Sequence, residues 1–107
     1  MRSRWLILLM ALVLSVISGC SHKASPHRVT LSWESPVTAR GPSVAGYNVY
    51  RSAISGKAYV KIADRVPFPW YEDRAVSSGR TYFYVVTALD PGGNESGFSA
   101  ETKATIP

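Results

Sequence analysis

The chain holds a single cysteine among its 107 residues. An intramolecular disulfide and a multi-cysteine metal site are therefore excluded. Acidic residues are also scarce, with seven Asp+Glu against twelve Lys+Arg. The only two histidines, His22 and His27, lie in a short polar stretch. No Ser or Cys nucleophile is held beside them by folded structure. Acid–base chemistry needs groups held within reach of a substrate in a pocket. Here Asp64, Glu72, Asp73, Asp90 and Glu95 fall at strand ends or in loops, where carboxylates are expected to face solvent. Residues 90–95 gather Asp, Asn and Glu near glycines but lack the carboxylate spacing of an EF-hand, and read as a hairpin loop. No enzyme, metal or cofactor is expected. Helical periodicity is missing too, with no such segment beyond about ten residues. The length leaves room for one domain.

What is present is unevenly spread. Arg2 and Arg4 precede a largely apolar run over residues 5–17, and Ser18-Gly19-Cys20 follows. A bilayer-spanning helix needs about 20 apolar residues, so this run is too short. A positive start, a short apolar core and small residues at its end form a secretory signal. Ile17-Ser18-Gly19-Cys20 resembles the bacterial lipobox, an aliphatic residue and two small residues before cysteine. That resemblance implies lipidation of the Cys20 thiol, a cut before it, and acylation of the new amino group. The sulfur would then be a thioether and redox-silent. Each buried methylene contributes about 0.8 kcal/mol, so two or three acyl chains anchor stably where one does not. The expected organisation is a leader over 1–19, a lipidated tether over 20–27 and a domain over 28–107. The expected location is the bacterial cell envelope, anchored in the membrane through Cys20. By resemblance to Gram-negative lipoproteins, Ser21 in place of Asp favours the outer membrane if the host is Gram-negative.

Losing residues 1–19 removes Arg2 and Arg4. Ten basic residues then face seven acidic ones, and the charge falls from +5 to +3. The remaining charges are scattered, whereas a nucleic-acid face needs clustering. No nucleic-acid partner is expected.

From Arg28 the pattern has period two. Val29, Leu31 and Trp33 alternate with Arg28, Thr30 and Ser32, the mark of a strand with one buried face. Pro36 ends it, and Gly41-Pro42 marks a loop. Further strands are expected over 46–52, 58–63, 70–75, 81–89 and 98–106, with turns at Ser55-Gly56, Ser77-Ser78-Gly79 and Asp90-Pro91-Gly92-Gly93-Asn94. Two prolines bar Val66-Pro67-Phe68-Pro69 from a central strand. Six short strands with regular turns imply an all-β sandwich.

The motifs narrow this further. Val29-x-Leu31-x-Trp33, Val44-x-x-Tyr47-x-Val49, the pair Tyr71 and Val76, and Val76-x-x-Gly79-x-x-Tyr82-x-Tyr84-x-Val86-x-Ala88 stand at set spacings, followed by Ser96-x-x-Ser99. Together they resemble the fibronectin type III domain over about residues 28–107. The resemblance implies an immunoglobulin-like antiparallel β-sandwich. Trp33, Tyr47, Tyr71, Tyr82 and Tyr84 are its expected core, and Tyr82 its tyrosine corner, with the hydroxyl bonded to the E–F turn. Gly79 suits a turn needing positive φ. Two departures stand out. Ser78 replaces the usual proline before the turn glycine. Strand A is reduced or missing, because few and largely polar residues separate Cys20 from Val29. The strand holding Val29 is therefore expected either to be an open edge that invites pairing or to be partly covered by residues 21–27.

Binding surfaces are sought among outward aromatics. Alternation puts Tyr50, Phe83 and Val85 outward on neighbouring strands, with Tyr59 extending the stripe. Such cross-strand pairs also stabilise a sheet by themselves. Phe68-Pro69-Trp70 is a second candidate, with its rings either outward or one turned in as a lid on the core. The expected role is non-catalytic protein binding, adhesion or scaffolding at the envelope. The rivals are a carbohydrate-binding accessory module, with a glycan stacked on aromatics, and a spacer without a specific ligand. No Arg-Gly-Asp tripeptide is present, so that adhesive motif of some family members does not carry over.

Overall fold

The computed structural model describes residues 12–17, 27–34 and 44–107. Cys20, Pro36, the Gly41-Pro42 loop and the expected tether apart from His27 lie outside the described residues. Seven strands follow in chain order: β1 (Leu12–Ile17), β2 (Arg28–Trp33), β3 (Gly46–Ser52), β4 (Val60–Val66), β5 (Trp70–Asp73), β6 (Thr81–Leu89) and β7 (Thr102–Thr105). They form two antiparallel sheets, ordered β1-β2-β5 and β4-β3-β6-β7. None of the described residues forms a helix long and apolar enough to cross a membrane.

The position beside β2, expected to be reduced or empty, is occupied. β1 pairs along all of β2, with Leu12 opposite Trp33, Leu14 opposite Leu31 and Ile17 opposite Arg28. The strand comes from the apolar run read as a leader. A short run of Leu, Val and Ile is compatible with strand as well as helix, and an unpaired edge gives it backbone partners.

The core lies between the sheets. Val29, Leu31 and Trp33 from β2 meet Tyr47 and Val49 from β3, Tyr84, Val86 and Ala88 from β6, and Ala104 and Ile106 at the chain's end. Trp33 sets its ring edge-on to Tyr47, with centroids 5.3 Å apart. Tyr71, Val76 and Tyr82 are partly buried against this cluster. The tyrosine corner forms as expected, with the Tyr82 hydroxyl accepting from Ser77 N at 3.0 Å. Gly79 has φ +79°, a conformation other residues rarely adopt. Where the family has proline, Ser78 ties the turn with its own hydroxyl, which donates to the Pro107 carbonyl at 2.7 Å.

Among the described residues, a polar tie joins the two sheets. Asp73 on β5 is 3% exposed. Its carboxylate accepts from Arg51 Nη1 of β3 at 2.9 and 3.1 Å and from the Tyr84 hydroxyl of β6 at 2.7 Å. Burial, and then the neighbouring Asp73 carboxylate, push the Tyr84 hydroxyl far above the usual tyrosine range.

Three strands differ in extent from the expectation, and β5 ends at Asp73 rather than at residue 75. β4 starts later than residue 58 and runs on to Val66 through a register shift, with Arg65 at φ 55°. Gly46 allows this close approach, since a Cβ there would meet the Arg65 Cα at 3.3 Å. The last strand is shorter, because Ser96 and Ser99 each use hydroxyl and amide together. Ser96 engages Ala88 and Ser99 engages Val86, through bonds of 2.8 to 2.9 Å that replace a regular ladder.

Candidate functional site

The outer face of β4-β3-β6-β7 gathers a set of polar and aromatic groups. Period two sends Asn48 and Tyr50 of β3 outward, next to Thr87 and Val85 of β6. The segment after β6 returns along that strand and lays Glu95 over the face. Glu95 Oε2 accepts from Thr87 Oγ1 at 2.6 Å, from Asn48 Nδ2 at 3.1 Å, and from the Tyr50 hydroxyl. Asn48 Oδ1 in turn accepts from Arg65 N at 3.0 Å and so pins the register shift of β4. Partial burial raises the Glu95 carboxyl, but the donors Thr87, Tyr50 and Asn48 outweigh it and hold the pKa below the ordinary value. Burial, then Glu95, pushes Tyr50 up to about 12. At neutral pH this is a fixed anion beside a neutral phenol.

An aromatic ladder runs across the same face. Phe98 stands edge-on to Tyr50 at 5.1 Å and to Tyr59 at 5.2 Å. Glu101 closes the far end, accepting from Ser55 Oγ at 2.6 Å, Gly56 N at 2.8 Å and the Tyr59 hydroxyl. Tyr50, Thr87, Glu95, Ser96, Gly97 and Phe98 line an open groove of about 310 Å³. It offers aromatic edges, one carboxylate and hydroxyls, which suits contact with a polar ligand rather than bond cleavage.

The expected stripe of Tyr50, Phe83 and Val85 needs correction. Tyr50 is in the ladder, Phe83 is half-buried, and Val85 is 2% exposed. Val85 does face outward, opposite Tyr50. Alternation fixes direction but not cover, and this face carries side chains from outside its strands. Phe98, 53% exposed, takes the place assigned to Phe83 and Val85 and was missed. Its signal is a large ring within Ser96-Gly97-Phe98-Ser99, where small residues otherwise prevail.

The second candidate resolves clearly. Phe68 and Trp70 are 55% and 52% exposed, so neither is a lid on the core. Their rings stack 6.1 Å apart at 12°. The Pro69 carbonyl between them accepts from Trp33 N at 3.0 Å and fixes the corner to β2. The pair forms an exposed apolar patch at one end of the smaller sheet. The Asp90 carboxylate is used by its own loop, bonded to Asn94 N and Nδ2 at 2.8 and 2.9 Å. Among the described residues, no three His, Cys, Asp or Glu are grouped to hold a metal ion.

Comparison with known proteins adds three findings. No family model matches the chain. It is 40% identical over 77 residues to an amylopullulanase of Thermoanaerobacterium thermosulfurigenes and 44% identical over 77 residues to one of Thermoanaerobacter thermohydrosulfuricus. These alignments cover 72% of this chain but only 4% and 5% of the enzymes, so the chain spans a small fraction of those relatives. Among solved structures it is similar to an Fn3-like protein of Clostridium thermocellum, with a TM-score of 0.64 and 35% identity over 75% of this chain and 77% of that one.

Proposed function

This chain belongs to the fibronectin type III-like family, and on that premise we propose that it is a non-catalytic binding module held at the bacterial cell envelope by a lipid on Cys20. Its role is protein–protein interaction or scaffolding. The observation that carries the binding role is the Tyr50–Phe98–Tyr59 ladder beside the Glu95 carboxylate. An exposed ring, Phe98, flanked by half-buried tyrosines next to a fixed charge has the composition of an interface anchor. Anchoring is supported by the sequence alone, through Ile17-Ser18-Gly19-Cys20 after a short apolar run. Labelling cells with a fatty acid tests the anchor. Wild type is expected to take up label and Cys20→Ala to take up none; an unlabelled wild type overturns it. Pull-down from envelope extract tests the ladder, with capture expected to be lost in Tyr50→Ser and Phe98→Ser. Capture unchanged in both variants overturns the ladder as the binding face.

A second reading, glycan binding, is favoured by one observation. Phe68 and Trp70 present near-parallel, half-exposed rings, the geometry on which a sugar ring stacks. Similarity to stretches of amylopullulanases, enzymes of carbohydrate breakdown, supports the same class of ligand. Glycan titration followed by tryptophan fluorescence separates the two. A shift lost in Trp70→Ala supports sugar binding, and no shift with any glycan rejects it.

A further inference from the structure

Among the described residues, the backbone of β2 is paired on one side by β5 and on the other by β1. β1 lies wholly within residues 1–19, the segment whose removal is proposed above, and the inference here rests on that reading. Cutting before Cys20 would leave the sheet as β2-β5 and strip the outer edge of β2 along its full length. It would also remove the strand that lies against β7. An unpaired edge draws in another strand.

We infer that the mature domain fills this edge with a second copy of itself, pairing β2 to β2 antiparallel across a two-fold axis centred on Leu31. The sequence of β2 is self-complementary in that register. Leu31 meets the partner's Leu31, and Val29 meets the partner's Trp33, so apolar residues stay on the core side. Thr30 meets the partner's Ser32 on the outer side. Arg28 meets the partner's Glu34, which is exposed. The two-fold axis makes every unequal pair twice, two opposite-charge pairs included. The register keeps apolar residues opposite apolar ones, as β1 does in placing Leu14 opposite Leu31 and Val16 opposite Val29. The outcome is one continuous four-stranded sheet, β5-β2-β2-β5, shared by two anchored chains.

The test uses protein extracted from membranes in detergent, with its intact mass read first. Thr30→Cys with Ser32→Cys is then oxidised and run on a non-reducing gel. The expected result is a disulfide-linked dimer from the double variant and little from either single variant, because position 30 faces 32 and not itself. Light scattering of the wild type is expected to give twice the protein mass of one chain. Arg28→Glu is expected to weaken the dimer, and adding Glu34→Arg to restore it. A chain that starts at Cys20 yet stays monomeric and uncrosslinked overturns the inference alone, whether its own tether or a different protein covers β2. A chain that keeps residues 1–19 overturns the maturation reading, and the inference with it, because β1 then stays in place.

Discussion

The two sheets complete themselves in different ways. In β4-β3-β6-β7 every strand comes from residues 46–105, and the outer face is dressed by the same stretch of chain, with Glu95 bonded to Asn48, Tyr50 and Thr87. In β1-β2-β5 the outer strand comes from residues read as a leader, and the remaining strands are six and four residues long. Both sheets contribute to one core, yet only one is closed by residues expected to survive processing. The larger sheet is therefore a scaffold that carries a side-chain array. The smaller one is a boundary whose state depends on what lies next to it.

The tie between the sheets is the place to break this contrast. Asp73→Ala would leave Arg51 and the Tyr84 hydroxyl without their buried partner. A loss of about 3–5 kcal/mol is expected in denaturant unfolding, since removing one member of a buried pair strands the other. Unfolding should remain a single transition, because the sheets share a core; two separate transitions would show that they are independent. Ser99→Ala acts within the larger sheet. It removes the acceptor of Val86 N and is expected to cost about 1–3 kcal/mol, the penalty for a buried unpaired donor. Glu95→Gln should cost less, about 1 kcal/mol, because the outer face is partly solvated.

The pH dependence sharpens the same contrast. Glu95 has its folded pKa lowered, so its contribution is present above the ordinary carboxylate range and fades as pH falls through the folded value. Chemical denaturation across the acid range should show a smaller loss in Glu95→Gln than in wild type. Tyr50 has its folded pKa raised from 10.0 to about 12, so the stability it confers is present below the ordinary value and declines as pH rises toward 12. Absorbance of tyrosinate should lose the phenol that titrates near 12 in Tyr50→Phe, while the buried Tyr84 hydroxyl still ionises later. The smallest effect is expected at the patch. Trp70→Ala should change stability by no more than about 0.5 kcal/mol, since both rings are exposed, while abolishing any glycan response.

Much of this arrangement is legible in the sequence. The alternation of Val29, Leu31 and Trp33 and the spacing of Gly79, Tyr82 and Tyr84 mark the core and its corner, because buried faces and turns constrain residue type strongly. What escaped was set by tertiary context. Nothing local says that Val85 is covered, since cover comes from elsewhere in the chain. Phe98 and Glu95 sit in a loop, and their approach to Tyr50 depends on how Ser96 and Ser99 fold that loop along β6. Residues 12–17 are the sharpest case. Their composition suits a membrane leader and a strand equally, and only an available partner strand separates the two.

The contrast between the sheets is tested most directly by amide hydrogen exchange on membrane-extracted protein that starts at Cys20, compared before and after dilution. The expected result is slow exchange in β3 and β6 at both concentrations, with the β2 amides that point away from β5 slow when concentrated and fast when dilute. Those β2 amides staying slow at both concentrations would contradict it, because the mature chain would then close its own smaller sheet.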